Sequence, residues 1–183
     1  QGLTLFPSHR TMISKKLSAA INAQVGNELG ASHQYIAVAT FFDQEGLPAL
    51  AQHFYKQSLE ERDHAMRFVK LLLDAGADVR LPAIAAPRTG FKHAAEAVKL
   101  ALDSEIRVTG QINALMDQAI TDKDHGSKNA LEWFVNEQRE EMASMDTLLR
   151  MVKRAGENGL FFVENFLLQG GLSEAPAGTD AAE

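Results

Sequence analysis

Four long stretches of helical periodicity run through this chain, and the gaps between them leave few ways to fold it. Apolar residues recur three and four apart over residues 14–43, 47–75, 92–121 and 127–155. Pro48 falls in the first turn of the second stretch and Gly76 just past its end, the punctuation a helix requires. Ala, Leu, Glu and Gln are abundant and only 5 prolines occur, which favours helix throughout. The first gap, at Glu45-Gly46, and the third, at residues 122–126, are short, so each joins antiparallel neighbours. The middle gap, residues 76–90, contains Pro82 and Pro87 and has no helical stripe. A helix of about 28 residues spans roughly 42 Å, and about 15 extended residues reach roughly 50 Å. The middle gap can therefore run the length of a bundle. The expected fold is all-α: a four-helix bundle with one long crossover connection and a short fifth C-terminal helix over 160–169. Residues 1–13 read as an N-terminal extension, 14–169 as one helical domain, and 170–183, small, polar and Pro/Gly-containing, as a flexible tail.

Each buried stripe carries polar residues where a core belongs. The first reads Leu17, Ile21, Gln24, Glu28, Ser32, Tyr35, Ala39, and the second Leu50, Phe54, Gln57, Glu61, His64, Phe68, Leu71. The third reads Val98, Leu102, Glu105, Thr109, Ile112, Met116, and the fourth Leu131, Phe134, Gln138, Glu141, Met145, Leu148, Val152. The interruptions fall near the middle of their helices, so they meet at one level whichever way each helix points. Glu28, Glu61, His64, Glu105, Gln138 and Glu141 are thus expected in one layer. Carboxylates gathered at low dielectric repel one another and lose hydration. They persist if protonated, paired with buried cations or bound to metal. No Lys or Arg lies on the stripes near this layer. Oxygen donors with one imidazole suit iron or another hard-to-borderline divalent metal. Glu61 and His64, at i and i+3, lie side by side on one helix face.

Taken singly, each residue has a plainer explanation. A lone Glu on an apolar stripe is usually a boundary residue reaching solvent, E-x-x-H is a weak motif, and a core Tyr usually packs. Four interruptions at one level, joined to this connectivity, favour the metal reading. Other chemistries are bounded by composition. The 183-residue chain has no cysteine, which excludes disulfides, thiolate catalysis and Cys-based metal sites. Its net charge of −6 argues against nucleic acid as a partner. No apolar run reaches membrane-spanning length, and residues 1–10 lack the pattern of a secretory signal, so a cytoplasmic location is expected.

The motifs Asn27-Glu28 with Gln34-Tyr35, then Glu60-Glu61-Arg62-Asp63-His64-Ala65, then Glu105, then the run LEWFVNEQREE from Leu131 to Glu141, resemble the ferritin family, specifically bacterial non-haem ferritins. The resemblance covers roughly residues 17–168. It implies a di-iron ferroxidase centre within one subunit that oxidises Fe(II) with O₂, and iron storage as ferric oxo-hydroxide inside a shell of twenty-four subunits. Glu28, Glu61 and His64 would hold the first iron. Glu61 would bridge to a second held by Glu105, with Gln138 close by, and Tyr35 would hydrogen-bond to the centre and supply an electron. A third iron site would involve Glu60, Glu137, Glu140 and Glu141. Trp133 matches a position beside the centre, where packing is the expected role. Bacterioferritins repeat E-x-x-H on the fourth helix, whereas Glu141 is followed here by Ser144; they bind haem through a Met where this chain has Arg62, so haem is not expected. Animal ferritins line their three-fold pore with acids; Asp122, Asp124 and Glu132 are the candidates here.

Competing readings are a di-iron oxidase or radical protein centred on Tyr35, a storage cage without oxidase activity, and a DNA-protecting mini-ferritin. The first lacks a substrate-binding domain, the second leaves the ligand set unused, and the third places its site between subunits. Leu160, Phe161, Phe162, Val163, Phe166, Leu167 and Leu168 are apolar nearly all round and call for a partner, either the bundle's own end or other subunits. The remaining histidines, His9, His33, His53, His93 and His125, read mostly as surface residues.

Overall fold

A computed structural model describes residues 11–172 of the chain. Its helices are α1 (Lys15–Gln44), α2 (Pro48–Asp74), α3 (Ala94–Thr121), α4 (His125–Ala155) and α5 (Leu160–Leu168), with a single 3₁₀ turn at Glu157–Gly159 before α5. Pairs α1–α2 and α3–α4 form the two hairpins, and α1 also packs on α3. This is the expected four-helix bundle with a short fifth helix.

Local chemistry sets the helix ends. The Ser14 hydroxyl accepts from Leu17 N at 3.0 Å and opens α1. The Asp124 carboxylate accepts from Ser127 N at 3.0 Å and starts α4 two residues before the periodicity does. Gly46, with φ 73°, makes the tight first turn that a Cβ would oppose. Helix α2 has no side-chain cap of its own. Glu164 of α5, only 6% exposed, supplies one instead: its carboxylate accepts from Ala49 N at 2.9 Å and Leu50 N at 2.7 Å. Glu157 likewise accepts from Ala94 N at 3.2 Å at the start of α3. Two acids of the C-terminal segment thus sit on two positive helix ends.

The crossover lies along one face of α1, on residues spaced four apart. Asn22 donates from Nδ2 to Asp78 O at 3.0 Å and accepts from Arg80 N at 2.5 Å. Gln34 does the same with Arg88, donating at 2.8 Å and accepting at 2.7 Å. Between these amides, a Cβ on Gly26 would collide with Pro82. Glycine at this position lets the crossover lie close enough for both amides to reach it.

The apolar core comes in two parts. One gathers Val38, Phe42, Leu50, Phe54, Val98, Met145 and Leu148 beneath α5. The other gathers Leu17, Ile21, Phe68, Leu72, Ile112, Leu131 and Phe134 at the opposite end, where Ile13 joins it. The polar layer lies between them.

Candidate metal centre

All six residues expected in the layer are buried: Glu28, Glu61, His64, Glu105, Gln138 and Glu141 are each at most 4% exposed. They come from all four long helices. Three sets of ligand atoms lie within 4.8 Å of one another: Glu28, Glu61 and His64; Glu61, Glu105 and Glu141; and His64, Glu137 and Glu141. Glu61 belongs to two of the three sets and stands between the others. His64 turns Nδ1 inward, 3.6 Å from Glu61 Oε2 and 3.8 Å from Glu141 Oε1. Its ring is held edge-on by Trp133 at 5.4 Å, and the Arg67 guanidinium lies 3.8 Å over the Trp133 ring. Trp133 therefore acts as packing that orients the imidazole.

The carboxylates differ in how their oxygens are used. Glu28 Oε1 accepts from Gln24 Nε2 at 2.8 Å. Glu105 Oε1 accepts from the Tyr35 hydroxyl, and Glu141 Oε2 accepts from Gln138 Nε2. The Gln138 carbonyl oxygen lies 3.1 Å from the Thr109 hydroxyl, which is also 2.8 Å from the Glu105 backbone carbonyl. The second oxygens of Glu28, Glu61 and Glu105 are buried without a hydrogen-bond partner. Buried oxygens in that condition are costly unless something else satisfies them.

Electrostatics follow from burial. Desolvation raises the Glu28 carboxyl to about 7, with the Glu105 charge adding to it and the Gln24 hydrogen bond opposing it. Glu61 is pushed well above the carboxylate range by burial and by Glu105, Glu141 and Glu28. Glu105 is also raised by burial, against hydrogen bonds from Tyr35 and Gln138. Burial, then the nearby Arg67 charge, lowers His64 to about 4, so it is neutral at pH 7 and free to ligate. Burial and the Glu105 charge raise the Tyr35 phenol well above its usual value, so it stays a hydrogen-bond donor.

Of the residues expected at a third site, Glu137 is half-buried and joins His64 and Glu141. Glu60 accepts from the Gln57 amide and pairs with Lys56 at 2.9 Å, while Glu140 is exposed; neither joins a cluster among the described residues. The acids considered for a pore have other engagements. Asp124 caps α4, Asp122 accepts from Ser14 at 2.5 Å and Gln118 at 2.7 Å, and Glu132 pairs with Lys128. His33, His93 and His125 are exposed as expected, and His9 lies outside the described residues. His53 departs from the surface reading. It packs edge-on against Phe54 at 5.2 Å, its Nε2 is buried without a partner, and burial lowers it to about 4. Leu167, Leu168 and Leu172 line a cavity with it, and no pattern within α2 announces them. Gln24 and Thr109 also escaped assignment. The signal for Gln24 was a polar residue on the α1 stripe one turn before Glu28.

A ferritin-like domain family model matches residues 18–155. The chain is 46% identical over 155 residues to Ferritin BfrB of Mycolicibacterium smegmatis, covering 85% of each chain. It is 35% identical over 158 residues to the bacterial non-heme ferritin of Staphylococcus aureus, covering 85% of this chain and 95% of the other. Among solved structures, an open pore ferritin from the hyperthermophilic archaeon Archaeoglobus fulgidus superposes with a TM-score of 0.83 at 30% identity, covering 86% of this chain and 98% of that one.

Proposed function

The chain belongs to the ferritin family, a family of iron-storage proteins, and from that premise we propose that it oxidises Fe(II) with O₂ at the four-helix centre and stores the ferric product inside an oligomeric shell. The observation that carries this is the set of three buried, unpartnered carboxylate oxygens on Glu28, Glu61 and Glu105, beside a neutral imidazole. Metal cations satisfy such oxygens and remove the repulsion among their carboxylates.

In this reading Glu28 and His64 hold one iron, Glu105 holds the other, and Glu61, present in both ligand sets, bridges them. Gln138 steadies Glu141 by donating from Nε2 to its Oε2. Each Fe(II) gives one electron and dioxygen takes two, reaching the peroxide level. With four waters, two Fe(II) and one O₂ yield two ferric oxo-hydroxide units, one hydrogen peroxide and four protons. The carboxylates favour Fe(III) over Fe(II) by charge, and Tyr35 holds Glu105 in place through its hydroxyl. Glu137, beside His64 and Glu141, is the residue best placed to take part in a third iron site. Haem has no part, since Arg62 occupies the position a haem-ligating Met would need.

The shell is a homo-oligomer of twenty-four subunits in this reading, located in the cytoplasm. Among the described residues no helix is long and apolar enough to cross a membrane. The exposed Phe161 and Phe162 of α5, each 77% accessible, support association with further copies.

The test is the Glu61→Ala, His64→Ala double variant. Loss of rapid Fe(II) oxidation in air, followed by absorbance, is expected because both irons lose a ligand. A double variant that oxidises Fe(II) at the parent rate defeats this assignment.

A further inference from the structure

From the amide network on α1 we infer that Gln24 is a positioning residue that restricts Glu28 to a single metal-facing oxygen; this rests on the metal-centre reading above. Gln24 is 2% exposed and lies one helical turn from Glu28. Its Nε2 donates to Glu28 Oε1 at 2.8 Å. Its Oε1 accepts from Asn27 Nδ2 at 3.1 Å. Asn27 is exposed and tied to the same helix, so it fixes the amide with the donor pointing inward. A reversed amide would set two acceptors against each other at Glu28 and leave Asn27 without its acceptor.

The consequence is a division of labour among the carboxylates. Glu28, Glu105 and Glu141 each have one oxygen held by a neutral donor, Gln24, Tyr35 and Gln138 respectively. Glu28 and Glu105 therefore each offer one remaining oxygen, Oε2, which has no hydrogen-bond partner. Glu61 is placed differently: it faces Glu28, Glu105, Glu141 and His64. With the neighbours held, Glu61 is the carboxylate left to change between terminal and bridging modes. Removing the Gln24 donor frees Glu28 to turn about its side-chain bonds, chelate one ion with both oxygens and raise its coordination number. Outer groups of this kind orient ligands, and their loss commonly costs about tenfold or more in activity.

The test compares intact shells of the parent, Gln24→Leu and Asn27→Ala by anaerobic Co(II) titration and by Fe(II) oxidation. Visible Co(II) bands weaken as coordination number rises, so they report ligand mode independently of activity. Gln24→Leu should still bind Co(II), but with weaker bands, and should oxidise Fe(II) about tenfold more slowly. Asn27→Ala, at an exposed position that tolerates truncation, should move both readings the same way by less. A purely structural role predicts a change in unfolding temperature with parent-like bands and rate, and that result overturns the proposal. If Gln24→Leu does not assemble, the Asn27→Ala result decides alone: parent-like readings reject the proposal. A parent that binds no Co(II) at the centre overturns both this inference and the metal-centre reading, so the two failures are distinguishable.

Discussion

At the scale of single residues, burial favours protonated carboxyls in the layer, and a cation bound at the proposed centre would displace those protons. Glu28, raised to about 7 by burial, carries a proton through much of the neutral range when metal is absent. Zn(II) binding, used as a redox-inert probe, should therefore release more protons at pH 6 than at pH 8, and the apparent affinity should climb as pH rises toward 7. Calorimetry in buffers of different ionisation enthalpy measures this; equal proton release at both pH values contradicts it. Linkage also shapes metal-free stability, and the signs differ by group. Glu28 has a folded value above its ordinary 4.5, so its contribution is full below 4.5 and is lost as pH rises to about 7. His53 and His64 have folded values near 4, below their ordinary 6.5, so their contribution is present above 6.5 and is lost as pH falls toward 4. Bound metal removes the first loss and leaves that of His53. Glu105→Gln keeps shape and removes charge. It should slow iron oxidation while leaving metal-free stability equal or higher by about 1 kcal/mol, read by denaturant unfolding of chelated protein. A loss of about 3 kcal/mol or more would instead mark a structural ion pair.

At the scale of elements, α5 is attached by charge as well as by apolar contact. Leu160 and Val163 enter the core, while Glu164 caps the otherwise uncapped α2. Glu164→Ala leaves two backbone donors at a buried helix end without their acceptor. The expected cost is about 1–2 kcal/mol, seen as a lower unfolding temperature with helix content retained. Glu164→Gln keeps one acceptor and should fall between. Parent-like melting of both variants would show that α5 is held by its apolar face alone. The crossover has a comparable pair of anchors, Asn22 and Gln34, set on the same α1 ridge as Gly26.

At the scale of the whole molecule, burial explains the inside of the bundle and leaves the α5 surface without an account. Phe161, Phe162 and Leu168 are each at least 71% exposed in the single subunit. Phe161→Asp with Phe162→Asp should disrupt or shrink the shell while each subunit keeps its helices, because neither side chain supports its own bundle. Size-exclusion chromatography beside circular dichroism reads this. A double variant that elutes with the parent shell would place the assembly contacts elsewhere.

The layer was legible because helix periodicity is a local property. A 3.6-residue repeat tells which residues share a stripe, and Glu28, Glu61, Glu105 and Glu141 each stand near mid-helix on theirs. The crossover was legible from length, since a long gap flanked by two short ones admits few topologies. What required the folded molecule were the contacts between stripes. The atom of Glu28 that stays free and the amide end that faces Glu141 depend on the rotation and rise of neighbouring helices, which periodicity within one helix does not set. The cap on α2 comes from Glu164, which lies 115 residues beyond Ala49, and His53 lines a cavity with Leu167 and Leu168 of a helix from the far end of the chain. Pairings at that separation are settled by packing, so they appear only when the four helices and α5 are in place.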